Sequence, residues 1–212
     1  MITPSFCRRT CVISVKWVGG LSEQKRVVNI TFETYWIGVC HGGYRTYVEL
    51  TPDFNVLFLC THNACRSILA EAIARQLALG LPLTFMSAGS APSGKVHPMT
   101  LKHLQQHGYS TAGLHSKSWE ALADFSPDLV ITVCDSAAGE TCPLWLGNTP
   151  KLHWGLPDPS QLNVEDQDVL FFKIIRLLEG RIGAFQRVDL KAEPRVLSAA
   201  LQQIVLAHPL VD

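Results

Sequence analysis

Charge of either sign is scarce in this chain. Only 17% of its 212 residues are Asp, Glu, Lys or Arg, and 18 acidic residues cancel 18 basic ones. A neutral chain offers no basic surface to a polyanion, so neither nucleic acid nor an anionic membrane surface is an expected partner. Long apolar runs are missing too; none approaches the ~20 residues of a membrane span. Arg8 and Arg9 precede the apolar stretch Cys11 to Val15, but Lys16 interrupts it and no small-residue cleavage site follows. A secretory leader is therefore not expected. The seven cysteines are odd in number and follow no repeating spacing. Without an export signal they read as thiols of a reducing compartment, and the cytoplasm is the expected location. Cys7, Cys11, Cys40 and His41 come nearest to a metal set. Their spacing matches no standard zinc pattern, and no bound metal is expected.

What is present is concentrated between Val56 and Ser67. The run Val56-Leu57-Phe58-Leu59-Cys60 is apolar and strand-like, and Thr61-His62-Asn63-Ala64-Cys65 is a short loop. Arg66 and Ser67 then lead into the helical pattern Ile68 to Arg75. A strand, a tight loop and a helix N-terminus in that order form an anion cradle, with N–H groups pointing inward and the positive end of the helix dipole behind them. A thiol placed there is expected to have a lowered pKa, because the dipoles favour its thiolate. Arg66 can hold a tetrahedral oxyanion with its planar fork. The loop lacks the glycine that positive φ angles usually demand; His62 and Asn63 are among the few other residues that tolerate them. The plainer reading of Cys60 is a small buried hydrophobe at a strand end.

With 47% apolar residues the chain is globular and long enough for one domain with an appendage. From residue 53 onward strands alternate with helices. Strands are expected at Asn55–Leu59, Leu83–Ser87, Asp128–Val133 and Lys151–Trp154. Helices are expected at Ser67–Leu79, His97–His107, Trp119–Phe125, Asp166–Phe185 and Arg195–Ala207. Such alternation implies crossovers and a doubly wound parallel four-stranded α/β sheet, with ligands beyond the carboxyl ends of the strands. Residues 1–52 differ, with β-type stretches at Val27–Phe32, Tyr35–Val39 and Tyr44–Leu50 and no helix signal. They read as a small β appendage or as sequence upstream of the true start. The second is favoured, because the motif-bearing strand normally opens a domain of this kind.

Two further segments carry chemistry. Cys134 and Cys142 lie eight positions apart across small residues, a segment expected to be flexible and near the surface, so that a disulfide can form by rearrangement. A core cysteine followed by an unrelated loop cysteine is the alternative. Asp158 stands between Pro157 and Pro159 after the fourth strand, where a rigidly held acid could protonate a departing oxygen. An ordinary turn aspartate is the plainer reading.

Together the segments Cys60-Thr61-His62-Asn63, Arg66 to Glu71, Ser87-Ala88-Gly89-Ser90, Val96-His97-Pro98, Ser116-Lys117-Ser118-Trp119, Val133-Cys134-Asp135 through Cys142-Pro143, and His153-Trp154-Gly155 with Asp158-Pro159 are collinear over residues 54–190. They resemble the arsenate reductases built on the low-molecular-weight protein tyrosine phosphatase fold. The first fifty residues have no place in that family. The resemblance implies that arsenate sits in the cradle of Thr61, His62, Asn63, Ala64, Cys65 and Arg66. Cys60 attacks arsenic and Asp158 protonates the leaving hydroxide. Cys134 then attacks Cys60, so that arsenite leaves and a Cys60–Cys134 disulfide forms. Cys142 attacks Cys134 and carries the disulfide to the surface, for an external reductant of thioredoxin type or for glutathione with glutaredoxin. Ser67 would hydrogen-bond the Cys60 thiolate, and Asn63 would hold the loop's shape. Some members have glycine at the position of His62. Of the four potassium-binding side chains of some members, Asn63, Glu71 and Ser87 match, while Glu120 stands at the aspartate position. Cys65 reads as packing or as a protective partner of Cys60. A monomer is expected. The alternative enzyme is a phosphatase using Cys60, Arg66 and Asp158, which leaves Cys134 and Cys142 without a role; a non-catalytic oxyanion sensor is the third reading.

Overall fold

A computed structural model describes residues 14–16, 35–41, 44–50, 54–139, 146–147 and 149–210. The chain divides into two compact units, Met1–Asp53 with Gly80–Pro82, and Phe54–Leu79 with Leu83–Asp212. In the first, strands β1 (Ser14–Lys16), β2 (Tyr35–His41) and β3 (Tyr44–Leu50) pair antiparallel in the order β1-β3-β2. The strand-like stretch Val27–Phe32 lies outside the described residues.

The second unit is built on strands β4 (Phe54–Cys60), β5 (Leu83–Gly89), β6 (Leu129–Thr132) and β7 (Lys151–His153). All neighbours pair parallel, in the order β5-β4-β6-β7. Helices α1 (Arg66–Leu77), α2 (Pro98–Gln106), α4 (Val164–Phe185) and α5 (Pro194–Ala207) supply the crossovers and the outer layer. The central strand β4 is buried from Val56 to Cys60, and its side chains alternate between two cores. Val56, Phe58 and Cys60 join α1 and α4, whereas Leu57 and Leu59 join Ala88, Leu122, Val130 and Leu146. A strand covered on both faces needs an unbroken apolar run, which is why β4 is legible in the sequence. Phe58 anchors the larger core, stacked 6.0 Å from Phe85 and tilted 5.8 Å from Trp154; burying such a ring stabilises by roughly 1.5–3 kcal/mol.

The parallel register sets the carboxyl ends side by side. Cys60 lies opposite Gly89, Leu59 opposite Thr132, and the Val133 amide donates to the Leu59 carbonyl at 2.8 Å. Cys60 and Cys134 therefore emerge at the same edge. The short helix expected at Trp119–Phe125 is present, as a 3-10 segment with a kink at Leu122. One expectation about these segments needs correction. The stretch after Cys134 does not begin as a flexible surface loop. Asp135–Gly139 form a short helix, α3, and Cys134 is buried. The Ala138 amide bonds the Cys134 carbonyl at 3.2 Å and the Ala137 amide its sulfur at 3.4 Å, so the cysteine caps this turn from below.

Candidate active site

Between β4 and α1 the chain curls through Thr61–Cys65, and its carbonyls are drawn outward. Ala91 N donates to Thr61 O at 2.9 Å, Ser93 N to His62 O at 3.0 Å and His97 N to Ala64 O at 2.9 Å. In a trans peptide the N–H opposes the C=O, so each outward carbonyl turns the next amide inward. The Asn63 amide accordingly donates to Cys60 Sγ at 3.2 Å. Asn63 supplies the positive φ the curl needs, at 44°. Gly89 lets the curl sit directly on β5. A Cβ there would collide with the Thr61 carbonyl oxygen and lie 3.0 Å from the Asn63 nitrogen.

Behind the sulfur lies a buried polar chain. Ser67 Oγ is 3.0 Å from Cys60 Sγ. Asn63 Nδ2 donates to Ser67 Oγ at 2.8 Å and to Ser87 Oγ at 2.9 Å, while its Oδ1 accepts from Lys117 N at 2.8 Å. Ser87 Oγ donates to Glu71 Oε2 at 2.5 Å, and Lys117 Nζ donates to the same oxygen at 3.2 Å. Glu71 and Lys117 are both buried, so a lysine ammonium provides a buried cationic partner at Oε2, while Arg75 lies 3.5 Å from Oε1. Glu120, by contrast, is exposed, and its amide is bound to Ser118 Oγ.

In front lies a cleft of about 290 Å³. The loop contributes Cys60, His62, Ala64, Cys65 and Arg66 to its lining; the wall opposite carries Ser93, Lys95, Val96, His97, Pro98, Asp158 and Ser160. Arg66 Nη2 meets Asp158 Oδ2 at 2.8 Å and Arg66 Nη1 donates to Leu156 O at 3.2 Å. The other Asp158 oxygen accepts from Ser160 N at 3.0 Å and Ser160 Oγ at 2.7 Å. The guanidinium carries five N–H donors, so it can still offer some to an oxyanion while holding this loop.

The expected site residues do not all face the cleft. Asn63 is wholly buried and its side chain braces the loop from behind. Thr61 does not line the cleft; its hydroxyl lies 3.8 Å from Cys134 Sγ. Cys142 lies outside the described residues, as do Cys7 and Cys11. Among the described residues no group of three or more His, Cys, Asp or Glu is arranged to hold a metal ion.

The expected direction of the Cys60 pKa is reversed. Burial is the largest effect and pushes the thiol up; hydrogen bonds from Ser67 and Asn63 pull it down without prevailing, and Cys134 adds to the rise. Inward dipoles favour the thiolate, but removal of the sulfur from water disfavours it more. Burial likewise pushes Cys65 up to about 12, against a lowering by the Thr100 hydroxyl. Sequence reasoning missed the Glu71–Lys117 pair, the Leu156 carbonyl on Arg66 and Ser160 on Asp158. Carbonyls carry no sequence signal, and Lys117 lies too far along the chain from Glu71 for spacing to join them.

The cradle, the facing carboxylate and the parallel sheet agree with a comparison against known proteins. The chain belongs to the low molecular weight phosphotyrosine protein phosphatase family, whose sequence model matches residues 55–196. Among its relatives, an arsenate reductase of Bacillus subtilis is 33% identical over 122 residues, covering 57% of this chain and 86% of the relative. One from Bacillus cereus is 36% identical over 105 residues, 50% of this chain and 76% of the relative. A thioredoxin-dependent arsenate reductase of Corynebacterium glutamicum superposes with a TM-score of 0.50 at 30% identity, over 64% of this chain and 61% of that one.

Proposed function

We propose that this chain is a thiol-dependent arsenate reductase. The observation that carries the reading is a second buried thiol, Cys134, at the same sheet edge as Cys60, its sulfur 3.8 Å from the hydroxyl of Thr61, the residue next to Cys60. Hydrolysis of a phosphocysteine has no use for that neighbour; reduction requires it. The named activity of relatives at 33% and 36% identity supports the same conclusion.

Arsenate enters the cleft onto the inward amides and Arg66. An oxyanion that takes over Arg66 releases Asp158 from its ion pair. Cys60 sulfur attacks arsenic, and Asp158 delivers the proton given up by the thiol to the departing oxygen, so that a sulfur–arsenic(V) bond forms, an arsenic–oxygen bond breaks and water leaves. Cys134 next attacks Cys60 sulfur. The electron pair of the broken sulfur–arsenic bond stays on arsenic, arsenite leaves, and a Cys60–Cys134 disulfide remains. Cys142 attacks Cys134 and frees Cys60. An external thiol reductant, of thioredoxin type or glutathione with glutaredoxin, returns both electrons; the enzyme acts as a cytoplasmic monomer.

Mass spectrometry after one arsenate turnover without reductant tests the relay, and a Cys134–Cys142 linkage is expected. A fully reduced protein after arsenite has formed would refute it. Family membership favours a second reading, a phosphatase. Among the described lining residues there is no Phe, Tyr or Trp to stack on a phenyl ring, which favours a small oxyanion over phosphotyrosine. Cys142→Ser separates the two readings: multiple-turnover arsenate reduction stops, whereas phosphatase turnover persists.

A further inference from the structure

Arg181 of α4 is 3% exposed, and among the described residues no carboxylate pairs with it. Its Nη1 donates to the Trp154 carbonyl, and its Nε and Nη2 both donate to the His208 carbonyl, at 3.2 and 3.0 Å. Its guanidinium also lies 5.9 Å from the Trp154 ring centroid. A buried cation without an anion is a poor filler of space; an apolar side chain of similar volume would usually stabilise the fold at least as well. The planar fork can, however, bind two carbonyls from different segments at once, which an apolar chain cannot do.

The two carbonyls tie distant parts together. His208 ends α5, a helix that runs past the family match at residue 196, and its ring lies against Gly180, where a Cβ would come within 2.8 Å of it. Trp154 begins the loop that carries Asp158. That loop is held by Trp154 N on Thr132 O at 2.8 Å, by Leu156 N on Val133 O at 3.1 Å, and by Arg66 on Leu156 O. Gly155, with φ of 25°, leaves a bend directly after the Arg181 contact. Without Arg181 the Trp154 carbonyl would be buried and unpaired, and the bend would lose its fixed end.

We infer that Arg181 is a positioning residue for Asp158, clamping the Trp154 and His208 carbonyls so that the C-terminal helix becomes part of the frame that aims the acid. The kinetic part of this inference rests on the role proposed above for Asp158. The test compares the full-length chain with Arg181→Met, which keeps the bulk and removes the donors, and with Arg181→Lys, whose single nitrogen cannot span both carbonyls. Single-turnover arsenite formation should fall about tenfold to a hundredfold in Arg181→Met, a fraction of what a general acid contributes. The affinity for inorganic phosphate, measured by calorimetry, should stay within about twofold, because the cradle amides are fixed through Ala91, Ser93 and His97, and an oxyanion replaces Asp158 as the partner of Arg66. Arg181→Lys should recover part of the rate. Amide exchange should quicken at residues 154–158 but not at 60–66. The inference is overturned if the rate stays within about twofold of wild type, if phosphate affinity falls in step with the rate, or if exchange at 154–158 is unchanged. Should Arg181→Met fail to fold, Arg181→Lys is judged by the same criteria. A wild-type chain that forms no arsenite would refute the proposed reduction, and the exchange and phosphate measurements would still decide whether Arg181 fixes the loop.

Discussion

Asn63 combines a backbone conformation that few side chains tolerate with three hydrogen bonds, to Ser67, Ser87 and the Lys117 amide. Replacing it by alanine leaves those buried partners unsatisfied and strains the turn, so Asn63→Ala should cost about 2–4 kcal/mol in urea unfolding. Gly89 works by absence: a methyl group there meets backbone, not a side chain that could swing aside. Gly89→Ala should therefore leave the fold cooperative yet weaken phosphate binding by about tenfold or more in calorimetry, ~1.4 kcal/mol. Asn63 could be singled out from sequence because a glycine-free loop needed some residue with positive φ. Gly89 could not, because its reason for being glycine is a neighbouring strand's loop. The direction of the Cys60 shift is hidden from sequence for a similar cause: burial is a property of the folded chain, and no window of residues displays it.

Among the elements, β4, α1 and α4 were readable because a central strand must be apolar on both faces and a surface helix apolar on one. α3 was not; Asp135-Ser136-Ala137-Ala138-Gly139 has no periodicity, and its turn is closed by the carbonyl and sulfur of Cys134. The link between α1 and the segment after α2 was hidden as well. Glu71 and Lys117 are 2% and 6% exposed at the side chain and meet at 3.2 Å. Breaking one side of such a pair costs ~3–5 kcal/mol, whereas replacing both with neutral groups of similar volume costs far less. Glu71→Gln and Lys117→Met should each destabilise strongly, and the double variant should recover most of the loss. Thermal or urea unfolding of the four proteins in a double-mutant cycle measures this.

For the molecule as a whole, titration sets limits on both sides of neutrality. Burial pushes His103 below 6.5, although Asp168 opposes this. The unfolded chain then takes up that proton first, so stability falls as pH drops through 6.5. Cys65 is shifted from 9.0 to about 12, so the unfolded chain releases its proton first and stability falls as pH climbs above 9. Urea unfolding from pH 5 to 10 should give a plateau between those edges, and Cys65→Ala should reduce the alkaline slope, leaving the part that Cys60 contributes. The burial of Cys134 has a consequence of another kind. A sulfur sealed from solvent at rest is also sealed from peroxide and from passing disulfides, so Cys134 should resist alkylation and oxidation in the folded chain and undergo either only once the chain is unfolded.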